Sequence, residues 1–86
     1  MNNIVFMQWY DKSANLTFSA VTKFDTEPKA FTFARHYIKD KKAEGVEAIA
    51  APIDFDCLKD LVKNGLVDSE WYDPIAKEYC TIDSLV

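Results

Sequence analysis

The sequence predicts an α+β fold, in the order β-β-α-β-α-α: a small antiparallel sheet, made of an N-terminal hairpin and a third strand, packed against helices. Three observations carry this expectation. Residues 3–10 and 16–24 are rich in β-branched and aromatic side chains and are separated by a short polar stretch, the pattern of a hairpin. Asp25-Thr26-Glu27-Pro28 and the Asp54/Asp56 pair each precede an apolar run at helical spacing, as helix starts do. Gly45 and Asn64-Gly65 follow those runs, where a left-handed residue ends a helix. A chain of 86 residues has room for one domain, so 1–86 are expected to form a single compact unit.

The first strand places Ile4, Phe6, Gln8 and Tyr10 on one face and Val5, Met7 and Trp9 on the other. Both faces are largely apolar, which predicts a strand that is central or covered on both sides. Residues 11–15 form a polar turn. In 16–24, Leu16, Phe18, Ala20 and Thr22 alternate with Thr17, Ser19, Val21 and Lys23, as in a half-exposed strand. Asp25 or Thr26 caps the next helix, and Pro28 is tolerated in its first turn because the missing N–H has no helical partner there. Ala30, Phe33, Ala34, Tyr37 and Ile38 fall on one helical face, which is expected to pack on the Phe6/Phe18 side of the hairpin. Residues 46–51 read as a third strand closed by Pro52. A second helix carries Cys57, Leu58, Leu61 and Val62. Asp73-Pro74 reads as the start of a third helix bearing Ile75, Ala76, Tyr79, Ile82 and Val86, with a final strand over 79–86 as the competing reading.

Charge is divided unevenly. Residues 44–86 hold ten Asp/Glu against Lys59, Lys63 and Lys77, a net of −7; residues 1–43 hold seven Lys/Arg against four Asp/Glu, a net of +3. The acidic balance disfavours nonspecific nucleic-acid binding, whose affinity comes from Lys and Arg on phosphates. The basic half keeps an RNA contact open through Arg35, Lys39, Lys41 and Lys42, which otherwise read as a solvated helix end favoured by the macrodipole. The apolar content of 49 % excludes disorder and leaves apolar surface to spare for an interface. Cys57 and Cys80 do not make a disulfide framework. No signal peptide opens the sequence, and no apolar run approaches the ~18 residues of a membrane span. The expectation is a cytoplasmic protein with reduced thiols and no membrane partner.

No residue set predicts catalysis. His36, the single histidine, sits beside the apolar helical stripe with no nucleophile or orienting partner in its pattern. Cys57 is surrounded by Asp54, Asp56 and Asp60, which raise rather than lower a thiol pKa, and it reads with Cys80 as a small core residue. Zinc spacing is absent, Asp54-Phe55-Asp56 lacks the rest of a calcium loop, and two glycines do not make a phosphate cradle. A non-enzyme without cofactor or metal follows.

Binding features are stronger. The segment Asp68-Ser69-Glu70-Trp71-Tyr72-Asp73 joins two aromatics to three carboxylates; Trp71 either tucks into the core or presents an aromatic anchor ringed by acid. If Tyr10 pairs near Leu16, the Val5/Met7/Trp9 face shares the sheet surface with Thr17, Ser19 and Val21. That face is either covered by C-terminal helices or free for a partner, including a second copy of the chain. The candidate partner-binding residues are therefore Glu70, Trp71, Tyr72 and Asp73, then Asp54, Asp56 and Asp60, with Trp9.

The strand Val5-Phe6-Met7-Gln8-Trp9-Tyr10 resembles the Val-Phe-Met-x-Trp-aromatic strand that opens the Dmd family of small early proteins from T-even phages. A second strand and an aromatic-bearing helix follow in the same order, and Ile38-Lys39-Asp40-Lys41-Lys42 resembles the Ile-x-Asp-Lys-Lys ending of that family's helix. The resemblance covers residues 3–51. The stretch between the two motifs is several residues shorter here, and 52–86 have no counterpart. It implies an antitoxin-like counter-defence protein that binds a host endoribonuclease toxin, or another host nuclease, and blocks its active site. The alternatives are a DNA-mimic antirestriction protein, which usually carries denser charge than −4, and an RNA-binding adaptor with Trp9, Tyr10 and Tyr37 as stacking platforms.

Overall fold

In the computed structural model, which describes residues 1–85, strand β1 (Ile4–Asp11) lies between β2 (Leu16–Lys23) and β3 (Ala48–Ile53) in an antiparallel sheet. Ile4, Val5, Phe6 and Met7 are all buried, because β1 is covered on both sides, as its two apolar faces predict. The turn after β1 is built locally. The Asp11 carboxylate accepts hydrogen bonds from the Ser13 hydroxyl (2.6 Å), the Ala14 N–H (3.3 Å) and the Ser13 N–H (2.9 Å), which hold it below the ordinary carboxylate range. Asn15 closes the turn at φ 54°, a left-handed conformation that asparagine tolerates, and the Tyr10 hydroxyl donates to its side chain.

This turn sets the register at Asp11↔Leu16 and Tyr10↔Thr17, one residue from the pairing expected. A one-residue slip exchanges the faces of a strand. Phe18 and Ala20, not Ser19 and Val21, therefore share the surface of Trp9 and Met7, while Val21 lies opposite Phe6. The two faces build two cores. Helix α1 (Glu27–Ala43) buries Ala30 and Ala34 against Val5, Met7 and Ala20, with Phe24, Phe33 and Tyr37 packed around them. The expected seat on the Phe6/Phe18 side is thus corrected: Phe6 and Phe18 lie on opposite faces. The pair of alanines one turn apart lets α1 approach the Val5/Met7 face closely. That face is core, not a spare interface for a second copy.

The ends of α1 follow the predicted signals. The Thr26 side chain caps the N-terminus through the Lys29 N–H, with Pro28 in the first turn. Gly45 turns out at φ 74°. Helix α2 (Phe55–Lys63) is capped by Asp54, whose carboxylate accepts from the Cys57 N–H at 2.8 Å. It lays Leu58 on the Ile4/Phe6/Val21 face, with Phe55, Leu61 and Val62 packed around it. Cys57 faces solvent rather than the core.

Among the described residues the expected third helix is not formed; the competing strand over 79–86 is met in part, by Glu78–Thr81, and Val86 lies outside the described residues. Residues 70–81 make a hairpin of β4 (Glu70–Asp73) and β5 (Glu78–Thr81), followed by a single 3-10 turn over Asp83–Leu85. The Asp73-Pro74 signal was chemically apt: the Asp73 carboxylate accepts from the N–H groups of Ile75 (2.9 Å) and Ala76 (3.0 Å), as a helix cap does. The turn ends at once, because Lys77 adopts φ 57° and donates its N–H to the Asp73 carbonyl at 2.8 Å. Period-2 burial then replaces helical burial: Trp71, Asp73 and Cys80 point inward, Tyr72 and Tyr79 outward. The radius of gyration, 12.5 Å, is close to the ~12 Å expected for one domain of this length.

Two stability changes are expected in urea unfolding. Leu58→Ala, at a fully buried site, should cost about 2–5 kcal/mol. Lys77→Gly should stabilise by up to about 1 kcal/mol, since glycine takes the left-handed conformation without the Cβ penalty.

Candidate functional site

The inner face of the β4–β5 hairpin docks beside β2. Trp71 and Cys80 join Phe6, Val21, Leu58 and Val67 in the core beneath α2. The Thr22 hydroxyl donates to the Asp73 carboxylate at 3.1 Å, with both residues buried. One carboxylate thus receives a hydroxyl from the sheet and two N–H groups from the hairpin turn. Cys80 lies on the same inner face. Burial, with Asp73 and Glu78 nearby, pushes its thiol above the ordinary range.

With its inner face fixed, the hairpin presents Glu70, Tyr72 and Tyr79 outward. Tyr72 and Tyr79 are directly paired across the strands, edge to face, with centroids 5.2 Å apart, an arrangement favoured by the ring quadrupoles. Tyr79 is 71 % exposed and Tyr72 46 %. Between these rings and the sheet lies an open cleft of ≈ 470 Å³. Its walls are Trp9, Ser19 and Ala20 from the sheet, and Asp68, Glu70, Trp71, Tyr72, Pro74 and Tyr79 from the C-terminal segment. A second depression of ≈ 280 Å³ shares Ser19, Asp68 and Trp71 and adds Phe18 and Leu66, so a groove runs along β2. Its charged lining residues are Asp68 and Glu70. The ion pairs among the described residues, Lys29–Asp25 and Lys41–Glu44, involve neither.

The structure separates the candidate residues into three sets. Trp9, Glu70, Trp71 and Tyr72, distant in sequence, line one cleft. Trp71 is only 5 % exposed and supports the floor rather than projecting as an anchor; Asp73 lies buried behind it as a structural acceptor. The exposed aromatic side chains of the hairpin are instead Tyr72 and Tyr79. Asp54, Asp56 and Asp60 sit on α2 and line no part of the groove. Asp54 is occupied as the helix cap, while Asp56 and Asp60 are exposed. Tyr79, Pro74, Phe18 and Leu66 were missed by sequence reasoning. Only the 70–81 hairpin pairing sets Tyr79 against Tyr72, and a helical reading from Asp73-Pro74 to Val86 conceals it.

His36 is exposed on α1. Among the described residues, no three His, Cys, Asp or Glu side chains gather as a metal-binding set, and no helix is long and apolar enough to cross a membrane. No protein family, curated protein or solved structure matches this chain.

Asp73→Ala should leave the Thr22 hydroxyl and two turn N–H groups without their acceptor and cost about 1–3 kcal/mol in urea unfolding. In the folded protein Cys57 should react with Ellman's reagent within the first minutes at about pH 8 and Cys80 only on unfolding, since an exposed thiolate is the reactive form. Because the folded Cys80 thiol is raised, its contribution to stability is complete below the unfolded thiol pKa and is lost as pH rises past it. Between about pH 8 and pH 10, wild type should therefore lose more stability than Cys80→Ala, measured by urea midpoints.

Proposed function

We propose that this protein is a phage-type counter-defence factor that acts in the host cytoplasm, binding a host nuclease or RNase toxin and occluding its nucleic-acid site. The observation that carries this reading is the groove along β2: exposed tyrosines with two carboxylates and no basic side chain in its lining, in a half-chain of net −7. A site built to hold phosphates is lined with Lys and Arg. Carboxylates match that surface, steer its approach and disfavour neutral or acidic partners. Tyrosine adds contact area with few rotatable bonds, the composition of interface cores. The resemblance of 5–10 and 38–42 to the Dmd family supports the same class of target.

The RNA-adaptor reading has less support. Lys41 Nζ stands 5.9 Å from the Trp9 ring centroid and 5.6 Å from that of Tyr37, so the protein's own cation already neighbours two of the three expected stacking platforms. The Tyr37 hydroxyl is also buried without a hydrogen-bond partner among the described residues. Arg35, Lys39 and Lys42 remain exposed on α1 and would carry such binding.

Capture of host proteins on the tagged protein, with and without RNase treatment and read by mass spectrometry, tests the proposal. A nuclease or toxin retained after RNase is the expected result; recovery only of RNA-associated proteins, all lost on RNase, would replace inhibition with RNA binding. The contribution of α2 is tested with Asp56→Asn plus Asp60→Asn, leaving the Asp54 cap intact. Association with the captured target should slow and its salt dependence flatten; unchanged kinetics remove α2 from the interface.

A further inference from the structure

We infer, on the functional reading above, that the cleft between β2 and the β4–β5 hairpin receives an arginine side chain from an exposed basic segment of the partner. The requirements of a guanidinium are an aromatic face to stack on and a carboxylate for its planar fork. The cleft supplies both within one short hairpin. Tyr72 and Glu70 are two residues apart on β4 and share its outward face, and Tyr79 stands directly across from Tyr72. Asp68 adds a second carboxylate at the same opening. In an edge-to-face pair one ring keeps both its own faces clear of its partner, and Tyr79 is the most solvent-exposed of the large apolar side chains among the described residues of this half of the chain.

Internal cations reach the sheet wall of the cleft at Trp9 but leave the hairpin tyrosines free. Lys41 lies over Trp9 and Tyr37, and Lys59 over Phe55; no cation–π contact reaches Tyr72 or Tyr79 among the described residues. The hairpin side of the cleft thus joins tyrosine rings free of internal cations to carboxylates without ion pairs, and charge complementarity assigns it a cationic occupant. Arginine fits better than lysine. Its planar, weakly hydrated guanidinium stacks on a ring while its N–H groups reach carboxylates, whereas an ammonium is a compact, strongly hydrated point charge. The open shape of the groove admits a side chain together with its flanking backbone.

The test titrates hexa-arginine, hexa-lysine and hexa-citrulline into the isotopically labelled protein at low salt, followed by NMR. Hexa-arginine should shift the Glu70, Tyr72 and Tyr79 resonances, bind more tightly than hexa-lysine, and lose at least about fivefold in affinity with Tyr79→Ala or Glu70→Gln; citrulline, isosteric but uncharged, should leave those signals in place. Both substitutions are at exposed positions, so the amide spectrum of each variant should remain that of the folded protein. Shifts centred on Asp56 and Asp60, or affinity unchanged by both variants, would overturn the inference in favour of diffuse attraction to acid. Arginine seated in the cleft with no nuclease captured would uphold the inference while removing the proposed function. A captured nuclease whose affinity is untouched by Tyr79→Ala and Glu70→Gln would do the reverse.

Discussion

The Asp73 carboxylate joins parts of the chain 51 residues apart, accepting the Thr22 hydroxyl with one oxygen and two turn N–H groups with the other. A buried carboxylate is costly unless its lone pairs are filled, and here sheet and hairpin must both be in place to fill them. Trp71 and Cys80 add the apolar contacts that seat the hairpin in the core beneath α2. This dependence has a direct consequence for the surface: strand alternation turns Tyr72 and Glu70 outward because Trp71 and Asp73 turn inward. The exposed face of the hairpin is the counterpart of its buried one.

The elements whose signals are local were legible in the sequence. Thr26, Pro28 and Gly45 delimit α1, Asp54 and Asn64-Gly65 delimit α2, and the two apolar faces of β1 place it at the centre of the sheet. Features that depend on one residue of register, or on a distant partner, were not. The Asp11 turn shifted the hairpin by one position and so exchanged the faces of β2. Asp73-Pro74 gives the same local signal for a helix cap and for a four-residue hairpin turn. The choice is made by Lys77 entering the left-handed region and by Thr22, neither of which the local pattern announces. Four of the nine lining residues of the cleft, Trp9, Glu70, Trp71 and Tyr72, were named from sequence. Tyr79 was hidden because its role is created by pairing across the turn.

The acidic half-chain resolves into separate functions once placed in space. Asp54 caps a helix and Asp73 closes a turn, so neither is available to a partner. Asp68 and Glu70 border the groove, and Asp56 and Asp60 lie on the exposed surface of α2. A net charge counted along the sequence therefore overstates what a partner meets at any one place, while the position of the remaining carboxylates beside exposed tyrosine makes their effect local. For the basic partner proposed above, long-range attraction from the whole half-chain and short-range matching at the groove would be distinct contributions, the first screened by salt and the second much less so.

The hairpin is fixed to the sheet through Asp73, Trp71 and Cys80, so the cleft is a standing feature of the fold. Native-state hydrogen exchange measures this most directly. Amides hydrogen-bonded within the β4–β5 pair, across Trp71, Tyr72, Tyr79 and Cys80, should exchange through the same global opening as those of Val5 to Met7 in β1. Exchange of the hairpin amides as rapid as that of the exposed turn at 12–15 would show instead a hairpin free of the sheet and a cleft that is not preformed.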